Sequence, residues 1–217
     1  MTDPADPAGP AGSSRPTVLL ATRNAHKLDE LRRILGPGVT VRGMADVPPM
    51  AELPETGETF EDNARVKAEQ AAAETSLISL ADDSGLEVDA LRGMPGVLSA
   101  RWSGRHGDDA ANTDLLLGQL RDVPDERRGA AFVCALAVAV PGRDTVLARG
   151  VWRGRIAHRP AGAHGFGYDP VFVPAESDRA GDGRSSAELA PAEKDRLSHR
   201  GRALAAVLPE LRRLLTL

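Results

Sequence analysis

The chain contains a single cysteine in 217 residues, so no disulfide can form within it. That residue, Cys134, lies inside the apolar run from 130 to 140, where a buried structural thiol is expected rather than a nucleophile or a metal ligand. A chain without disulfides suits a reducing compartment, and we therefore expect the protein to be cytoplasmic.

Long hydrophobic runs and an excess of basic charge are also lacking. No segment approaches the roughly 18 apolar residues of a membrane span, so we expect no membrane association. The 31 acidic residues outnumber the 27 basic ones, for a net charge of −4. Such a balance disfavours binding to a nucleic-acid backbone, and no nucleic-acid partner is expected. A small anionic ligand remains compatible, because a local pocket can be positive on an acidic protein.

Lysine is scarce as well, with three residues among the 27 basic ones. Arginine serves equally for general surface charge, so a lysine kept in so arginine-rich a chain can mark the need for a compact point charge. Chance retention is the alternative interpretation. The three residues, Lys27, Lys67 and Lys194, each lie in a segment that contains other polar side chains of interest.

Strand and helix patterns follow one another along the chain and predict an α/β fold. Residues 1–15 are rich in Pro, Ala, Gly and Ser and lack the cationic start and apolar middle of a signal peptide, which predicts a disordered tail. Residues 16–217 then suit a single two-lobed domain. The patterns predict strands at 17–21, 39–42, 77–81, 86–91, 130–140 and 145–156, helices at 26–35, 59–74, 110–120 and 191–217, and a polar loop at 175–184. Thr59 is predicted to cap the second helix, with Asp62 three residues later.

The turn between the first strand and the first helix offers donors suited to phosphate. Thr22, Asn24 and Lys27 supply a hydroxyl, an amide and an ammonium group. Free backbone N–H groups at a helix N-terminus also attract anions. The alternative is an ordinary helix cap made by Thr22 or Asn24. The sequence contains no phosphate-binding loop of the G-x-x-x-x-G-K-[ST] type.

Two further polar pairs point to a cleft. Asn63 and Lys67 are four residues apart in a predicted helix and share one face. Asp82 and Asp83 follow a predicted strand, where ligands bind in open α/β sheets, and a carboxylate there can hold Mg²⁺ or orient a water. Because neighbours on a strand point opposite ways, we expect only one aspartate to face the cleft. The alternatives are a solvated helix face and an ordinary turn at 82–85.

The chain has seven aromatic residues, and three of them fall within seven positions. Phe166, Tyr168 and Phe172 lie in a segment where Gly165 and Gly167 let the backbone approach a ligand closely. Aromatic faces in such a setting suit a flat nucleobase. An ordinary core cluster is the alternative.

Near the C-terminus, the positions of Lys194 and His199 predict a helix break. On one straight helix these side chains would point about 140° apart. We therefore expect the helix to break near Ser198, which would cap a second helix. His199 and Arg200 would then lie at a helix N-terminus, where they can donate hydrogen bonds to a polar ligand.

Together these segments resemble the inosine/xanthosine triphosphate pyrophosphatases, also called non-canonical purine NTP pyrophosphatases. Each motif is weak by itself, but the ordered set is highly specific and covers about residues 17–215. The motifs are Leu20-Ala21-Thr22-Arg23-Asn24 with Lys27, Glu55-Thr56-Gly57 with Thr59-Phe60 and Asn63-Ala64, Lys67-Ala68, Ala81-Asp82-Asp83-Ser84-Gly85-Leu86, Pro95-Gly96 with Ser99-Ala100-Arg101, Gly165-Phe166-Gly167-Tyr168-Asp169-Pro170, and Ser198-His199-Arg200-Gly201.

The resemblance implies a long mixed β-sheet flanked by helices, in two lobes with a central substrate cleft, assembled as a homodimer. It implies Mg²⁺-dependent hydrolysis of ITP, dITP and XTP to the monophosphate and pyrophosphate, which cleanses the nucleotide pool. Asp83 is then the catalytic carboxylate and a metal ligand, and Glu55 is a second metal ligand. The implied substrate site comprises Thr22, Arg23, Asn24, Ala25, His26, Lys27, Lys67, Ser84, Phe166, Gly167, Tyr168, Asp169, Lys194, His199 and Arg200.

Two alternative functions differ in class. One is a related pyrophosphatase that acts on other modified nucleotides, and the Ser198-His199-Arg200 segment argues against it. The other is a nucleotide-binding module without catalysis, and the retained carboxylates Glu55 and Asp83 argue against that. For the enzyme, donors aimed at a 6-keto oxygen would reject the 6-amino group of adenine, and His199, Arg200 and backbone amides are candidates.

Overall fold

One six-stranded β-sheet runs through residues 15–215, the part of the chain that a computed structural model describes. β1 pairs in parallel with β2 and β3, and the later pairings are antiparallel, so the predicted mixed sheet of an α/β fold is confirmed. The predicted tail at 1–15 lies outside the described residues apart from Arg15. In sheet order the strands are β2 (Thr40–Arg42), β1 (Thr17–Leu20), β3 (Ile78–Val88), β4 (Gly129–Ala139), β5 (Val146–Ile156) and β6 (Phe172–Pro174).

Helices flank the sheet, and the predicted Thr59 cap is present, since its Oγ1 accepts the Asp62 N–H at 3.1 Å. Within residues 15–215, no helix combines the length and the apolar character needed to cross a membrane. The α-helices are α1 (Ala25–Leu35), α2 (Phe60–Thr75), α3 (Asp109–Gln119), α4 (Ala175–Ala180), α5 (Pro191–Leu197) and α6 (His199–Leu215).

The two faces of the sheet carry side chains of different size. On one face, the larger apolar residues of β3 and β4 pack with α1 and α6. On the other, Ala131, Ala135 and Ala137 of β4 pack against Ala64 and Ala68 of α2, and all five are buried. Small side chains on both partners let α2 lie close to the sheet. This close packing brings the polar face of α2 within bonding distance of β3.

The structure corrects the prediction for residues 77–91. The sequence predicted two short strands joined at the acidic pair, but β3 is one strand that runs from Ile78 to Val88. β4 pairs with β3 along nearly that whole length. The hydrogen bonds between the two strands stabilise the extended backbone more than Asp-Ser-Gly favours a turn. Gly85 instead allows the backbone at Gly96 to lie close to β3, because a Cβ on Gly85 would be 2.5 Å from the Gly96 carbonyl oxygen. The acidic pair therefore lies inside a strand rather than in a turn.

The C-terminal part of the chain follows one prediction and departs from another. The helix breaks at Ser198 as expected, and Ser198 Oγ accepts the Gly201 N–H at 3.1 Å at the start of α6. The segment predicted as a polar loop, 175–184, instead begins with helix α4. Glu176 in α4 accepts hydrogen bonds from Trp152 and Arg202, and these contacts to distant residues hold the short helix in place.

Candidate active site

A cavity of about 830 Å³ opens beside β3, at the point where its neighbour β1 stops. β1 pairs with β3 only as far as Leu20 and Leu80, so it does not cover the edge of β3 at Asp82 and Asp83. Further along, Pro95 pairs with that edge at Glu87. Among the predicted site residues, Ala25 does not line the cavity and is exposed on α1. Those that line it are Thr22, Arg23, Asn24, His26, Lys27, Glu55, Lys67, Asp83, Ser84, Phe166, Gly167, Tyr168, Asp169, Lys194, His199 and Arg200.

Both aspartates of the acidic pair border the cavity, which corrects the expectation that only one would. Alternation on the strand does hold, because Asp82 bonds to α1 and α6 on one face and Asp83 to α2 on the other. The free edge of β3 makes both faces accessible from a single cleft. The two carboxylates therefore serve different parts of the same site.

Asp83 is held by the polar face of α2, where Asn63 and Lys67 share one side of the helix as their spacing predicted. Asn63 Nδ2 donates to Asp83 Oδ2 at 3.0 Å, and Lys67 Nζ lies 3.2 Å from Asp83 Oδ1. The backbone N–H of Gly57 donates to Asn63 Oδ1 at 2.8 Å, which turns the amide nitrogen towards the aspartate. Burial raises the pKa of Asp83 above its ordinary value although Lys67 lies beside it, so the carboxylate is a stronger base than an exposed one.

Glu55 shares the Lys67 ammonium with Asp83. Lys67 Nζ contacts Glu55 Oε1, and Arg101 Nη1 lies 3.1 Å from Glu55 Oε2. Burial favours a higher pKa at Glu55, but the hydrogen bond and charge of Lys67 lower it overall. Burial disfavours the charged form of Lys67, yet Asp83 and Glu55 raise its pKa, so it remains an ammonium group. The carboxylates of Glu55 and Asp83 thus both contact the Lys67 ammonium group.

Asp82 is nearly inaccessible and pairs with two cations. Its Oδ2 lies 2.9 Å from Lys27 Nζ and 3.0 Å from Arg200 Nη2, and it accepts the Ser84 hydroxyl at 2.5 Å. Burial favours a raised pKa, but Lys27 and Arg200 hold the pKa of Asp82 well below its usual range. Its Oδ1 is buried and makes no hydrogen bond within residues 15–215. Asp82 is therefore a fixed anion between two cations that line the cavity.

The N-terminus of α1 carries a helix cap and borders the cavity. Asn24 Oδ1 accepts the N–H groups of His26 at 2.9 Å and Lys27 at 3.3 Å, so the ordinary cap foreseen as an alternative is present. Thr22 Oγ1 accepts the Asn24 N–H at 3.2 Å. Thr22 and Asn24 therefore shape the turn, while Lys27 lines the cavity and pairs with Asp82.

The aromatic segment divides between cavity and core. Phe166 lines the cavity, and the His26 ring stacks on it with centroids 5.4 Å apart and planes 13° apart. Tyr168 touches the cavity, but its hydroxyl donates to the Ser99 carbonyl in the interior. Phe172 packs in the core against Trp152. Asp169 Oδ2 accepts the Phe166 N–H at 2.9 Å, so this carboxylate fixes the loop that presents Phe166.

His199 is a buried, neutral imidazole in the cavity wall. Its ring stacks on Phe132 with centroids 4.9 Å apart and planes 14° apart. Burial, reinforced by Arg200 and Lys194, lowers the pKa of His199 well below its ordinary value. Gly150 lets the start of α6 lie against β5, since a Cβ there would be 2.0 Å from the His199 carbonyl oxygen. The Nδ1 atom of the stacked ring is buried and has no hydrogen-bond partner within residues 15–215.

Two residues beside the cavity had no role assigned from the sequence, and a third differs from its prediction. Arg101 lay in a matched motif without an assigned role, whereas Asn63 was expected to face the cleft but is buried and does not line the cavity. Glu30 carried no signal, because nothing in the helical pattern of α1 separates it from exposed Asp29. It is buried behind the cavity, where Arg200 Nη1 contacts one oxygen and Lys194 Nζ lies 3.4 Å from the other.

Known proteins resemble this chain over nearly all of its described length. A model of the Ham1 family matches residues 18–210. A dITP/XTP pyrophosphatase of Mycobacterium bovis is 63% identical over 203 residues, or 92% of this chain and 97% of the relative. The crystal structure of a nucleoside-triphosphatase / dITP/XTP pyrophosphatase from Mycobacterium abscessus has a TM-score of 0.71 at 60% identity, covering 89% of this chain and 99% of that one. The Staphylococcus aureus Ham1 protein has a TM-score of 0.78 at 36% identity, covering 90% and 97%.

Proposed function

The chain belongs to the Ham1 family, and we propose that it is a nucleoside triphosphate pyrophosphatase that hydrolyses the non-canonical purine nucleotides ITP, dITP and XTP. The products are the nucleoside monophosphate and pyrophosphate, and the reaction removes abnormal purines from the nucleotide pool. One observation carries the proposal. The Asp83–Lys67–Glu55 cluster and the Phe166, His199 and Arg200 side chains border a single cavity.

The residues around Asp83 suit attack by water on the α-phosphate. Asp83 orients the water and accepts its proton, while the oxygen of the water forms a bond to the α-phosphorus. The bond from that phosphorus to the oxygen bridging the α- and β-phosphates breaks, and pyrophosphate leaves. Lys27, Lys67 and Arg101 lie on this side of the cavity and stabilise the negative charge of the triphosphate.

We propose that Mg²⁺ is the cofactor and that Glu55 and Asp83 hold it. Both carboxylates contact the Lys67 ammonium, so their oxygens converge on one point. Residues 15–215 contain no group of three or more His, Cys, Asp or Glu side chains placed to hold a metal. A two-carboxylate set fits Mg²⁺, which takes its remaining oxygens from water and substrate phosphates. When bound, the ion supplies charge neutralisation at the phosphates. Pyrophosphate release should then require added Mg²⁺ and cease with a chelator.

The other end of the cavity suits a flat base with a 6-keto oxygen. Phe166 offers an aromatic face, and the His199 and Arg200 side chains border the same space. A donor aimed at a 6-keto oxygen would meet another donor in the 6-amino group of adenine, which is costly in a buried site. We propose that this mismatch separates ITP and XTP from ATP.

A substrate panel tests the proposed function. The protein is incubated with ITP, dITP, XTP, ATP and GTP, with and without Mg²⁺, and pyrophosphate release is measured. We expect ITP, dITP and XTP to be hydrolysed at least about tenfold more efficiently than ATP, which carries a 6-amino group in place of the 6-keto oxygen. Equal rates for all five nucleotides would contradict the proposed selectivity, and no release from any of them would contradict the enzymatic function.

We propose further that the enzyme is a cytoplasmic homodimer. The resemblance to the pyrophosphatase family supports the dimer, and the lack of disulfides suits a reducing compartment. Light scattering after size-exclusion chromatography should give twice the mass of one chain. A single-chain mass at micromolar concentration would contradict the dimer.

A further inference from the structure

Six charged side chains of alternating sign run through the site from the N-terminus of α1 to the Phe166 loop. We call this set the charge chain. Because the three cations and three anions cancel, these six side chains together carry no net charge. All but Lys27 are buried, and Lys27 has 15% of its side chain exposed. In order, the charge chain consists of Lys27, Asp82, Arg200, Glu30, Lys194 and Asp169.

In the part of the charge chain near Phe166, each charged side chain contacts the next one. Arg200 contacts Glu30, and Lys194 Nζ lies 3.4 Å from Glu30 and 2.6 Å from Asp169. Asp169 accepts the Phe166 N–H at 2.9 Å, which ends the chain on the loop. Arg200 Cζ and Lys194 Nζ lie 5.9 Å and 5.5 Å from the centre of the Phe166 ring. This part of the chain therefore shapes the end of the cavity that suits a base.

The other part consists of Lys27 and Asp82. Lys27 lies in the first turn of α1, and Asp82 is its one ion-pair partner within residues 15–215. Asp82 uses the same oxygen, Oδ2, for Lys27 and for Arg200. The carboxylate is thus the one link between the cation near the phosphate end and the cation near the base end.

We propose that Asp82 is a positioning residue that makes binding depend on the base rather than on the phosphates. It holds Arg200 in place beside Phe166, and it keeps part of the Lys27 charge from the phosphates. This inference rests on the proposed function. Canonical and non-canonical nucleotides carry the same triphosphate. Tight binding of the phosphates therefore adds equal affinity to both classes and does not help to distinguish them. A carboxylate that weakens phosphate binding and fixes Arg200 beside Phe166 makes the affinity depend more on the identity of the base.

Asp82→Asn tests the proposal, because the two effects of the substitution have opposite directions. With the negative charge removed, Lys27 is free to bind phosphate, and the inhibition constant of pyrophosphate should fall roughly threefold to fivefold. Arg200 loses one of its two carboxylate anchors, and the ratio of kcat/KM for ITP over ATP should fall roughly tenfold. General damage to the site would weaken both pyrophosphate binding and selectivity.

Glu30→Gln is the matched control. It removes the other anchor of Arg200 but leaves the Lys27–Asp82 pair intact. Its ITP/ATP ratio should fall as in D82N, while inhibition by pyrophosphate stays within about twofold of the wild type. The proposal is overturned if D82N keeps the wild-type ratio, if its inhibition constant for pyrophosphate rises, or if E30Q tightens pyrophosphate binding as D82N does.

Two further measurements keep the outcome decisive. If D82N does not fold, D82E replaces it: the charge is retained, so pyrophosphate inhibition should not change, but the longer side chain displaces Arg200 and the ratio should fall. An unchanged ratio in D82E overturns the proposal. If the wild type does not hydrolyse ITP, the proposed function fails by itself. The inference is then judged by the thermal shifts that the ligands produce: compared with the wild type, D82N should show a larger shift with pyrophosphate and a smaller difference between IMP and AMP. Unchanged shifts overturn the proposal.

Discussion

Asn63 Nδ2 donates a hydrogen bond to Asp83 Oδ2 at 3.0 Å, and this buried amide fixes the direction of the Asp83 carboxylate. The other oxygen of Asp83 faces the Lys67 ammonium, one helical turn along α2. Each oxygen therefore has its own partner on one rigid helix. The amide cannot take up the proton that Asp83 is proposed to accept, so orientation and proton transfer are assigned to different side chains.

Replacing Asp83 by Asn should stop the reaction while leaving the nucleotide bound. The amide cannot accept a proton from water, and general-base catalysis typically contributes about 100-fold or more to kcat. We expect kcat for ITP to fall by at least about 100-fold, measured by pyrophosphate release. Glu69→Gln is the control, because Glu69 is bonded to Thr145 on the surface, and it should keep wild-type turnover. Equal turnover in D83N and the wild type would refute the role of Asp83.

His199 should make the protein less stable in mild acid. Its pKa in the folded protein lies well below the ordinary value of 6.5, so below about pH 6.5 the unfolded chain binds a proton that the folded chain does not. The stabilisation is complete above pH 6.5 and is lost as the pH falls, by up to about 1.4 kcal/mol per pH unit. Urea unfolding at pH 7.5 and 5.0 should show a smaller loss for His199→Asn than for the wild type. Identical losses would place the His199 pKa near its ordinary value.

A methyl group at Gly150 should disturb both stability and activity. A Cβ there would lie 2.0 Å from the His199 carbonyl oxygen and 2.5 Å from the Ala203 backbone nitrogen, so α6 must shift. We expect Gly150→Ala to lower the free energy of unfolding by about 1–3 kcal/mol and to weaken ITP binding. Gly118→Ala is the matched control: nothing lies near its Cβ, and alanine in helix α3 should stabilise by about 0.5–1 kcal/mol. Equal effects in the two variants would show that Gly150 is not a close-packing site.

Cys134 should be unreactive in the folded protein. Burial, followed by the charge of Asp82, raises the pKa of its thiol to about 12. The thiolate is the reactive form, so a thiol reagent at pH 8 should label the native protein only at the rate of unfolding. In guanidinium chloride the same reagent should label one thiol per chain at once. Rapid labelling of the native protein would show that the thiol is accessible.

The features predicted best depend on neighbouring residues in the sequence. The Thr59 cap and the break at Ser198 each rest on a hydroxyl that satisfies backbone N–H groups within the next three residues. The shared face of Asn63 and Lys67 follows from helix geometry alone. Such local relationships can be identified without knowing the fold.

The features missed depend on partners far away in the sequence. The length of β3 is set by β4, which begins at Gly129, and the uncovered edge beside Asp82 exists because β1 stops at Leu20. No local pattern contains either fact. The roles of Glu30 and Arg101 likewise arise from ion pairs with residues in other elements. Tertiary pairing therefore decided both the shape of the cleft and the use of Asp82.

The alanines that separate α2 from β4 have a consequence for how the sequence can change. Added volume at Ala131, Ala135 or Ala137 would push the helix outward and lengthen the bonds from Asn63 and Lys67 to Asp83. These positions look like ordinary interior sites, yet the size of their side chains sets the distance between the polar face of α2 and Asp83. We expect a larger residue at these positions to slow turnover before it reduces the amount of folded protein, and natural selection would act on that loss of activity.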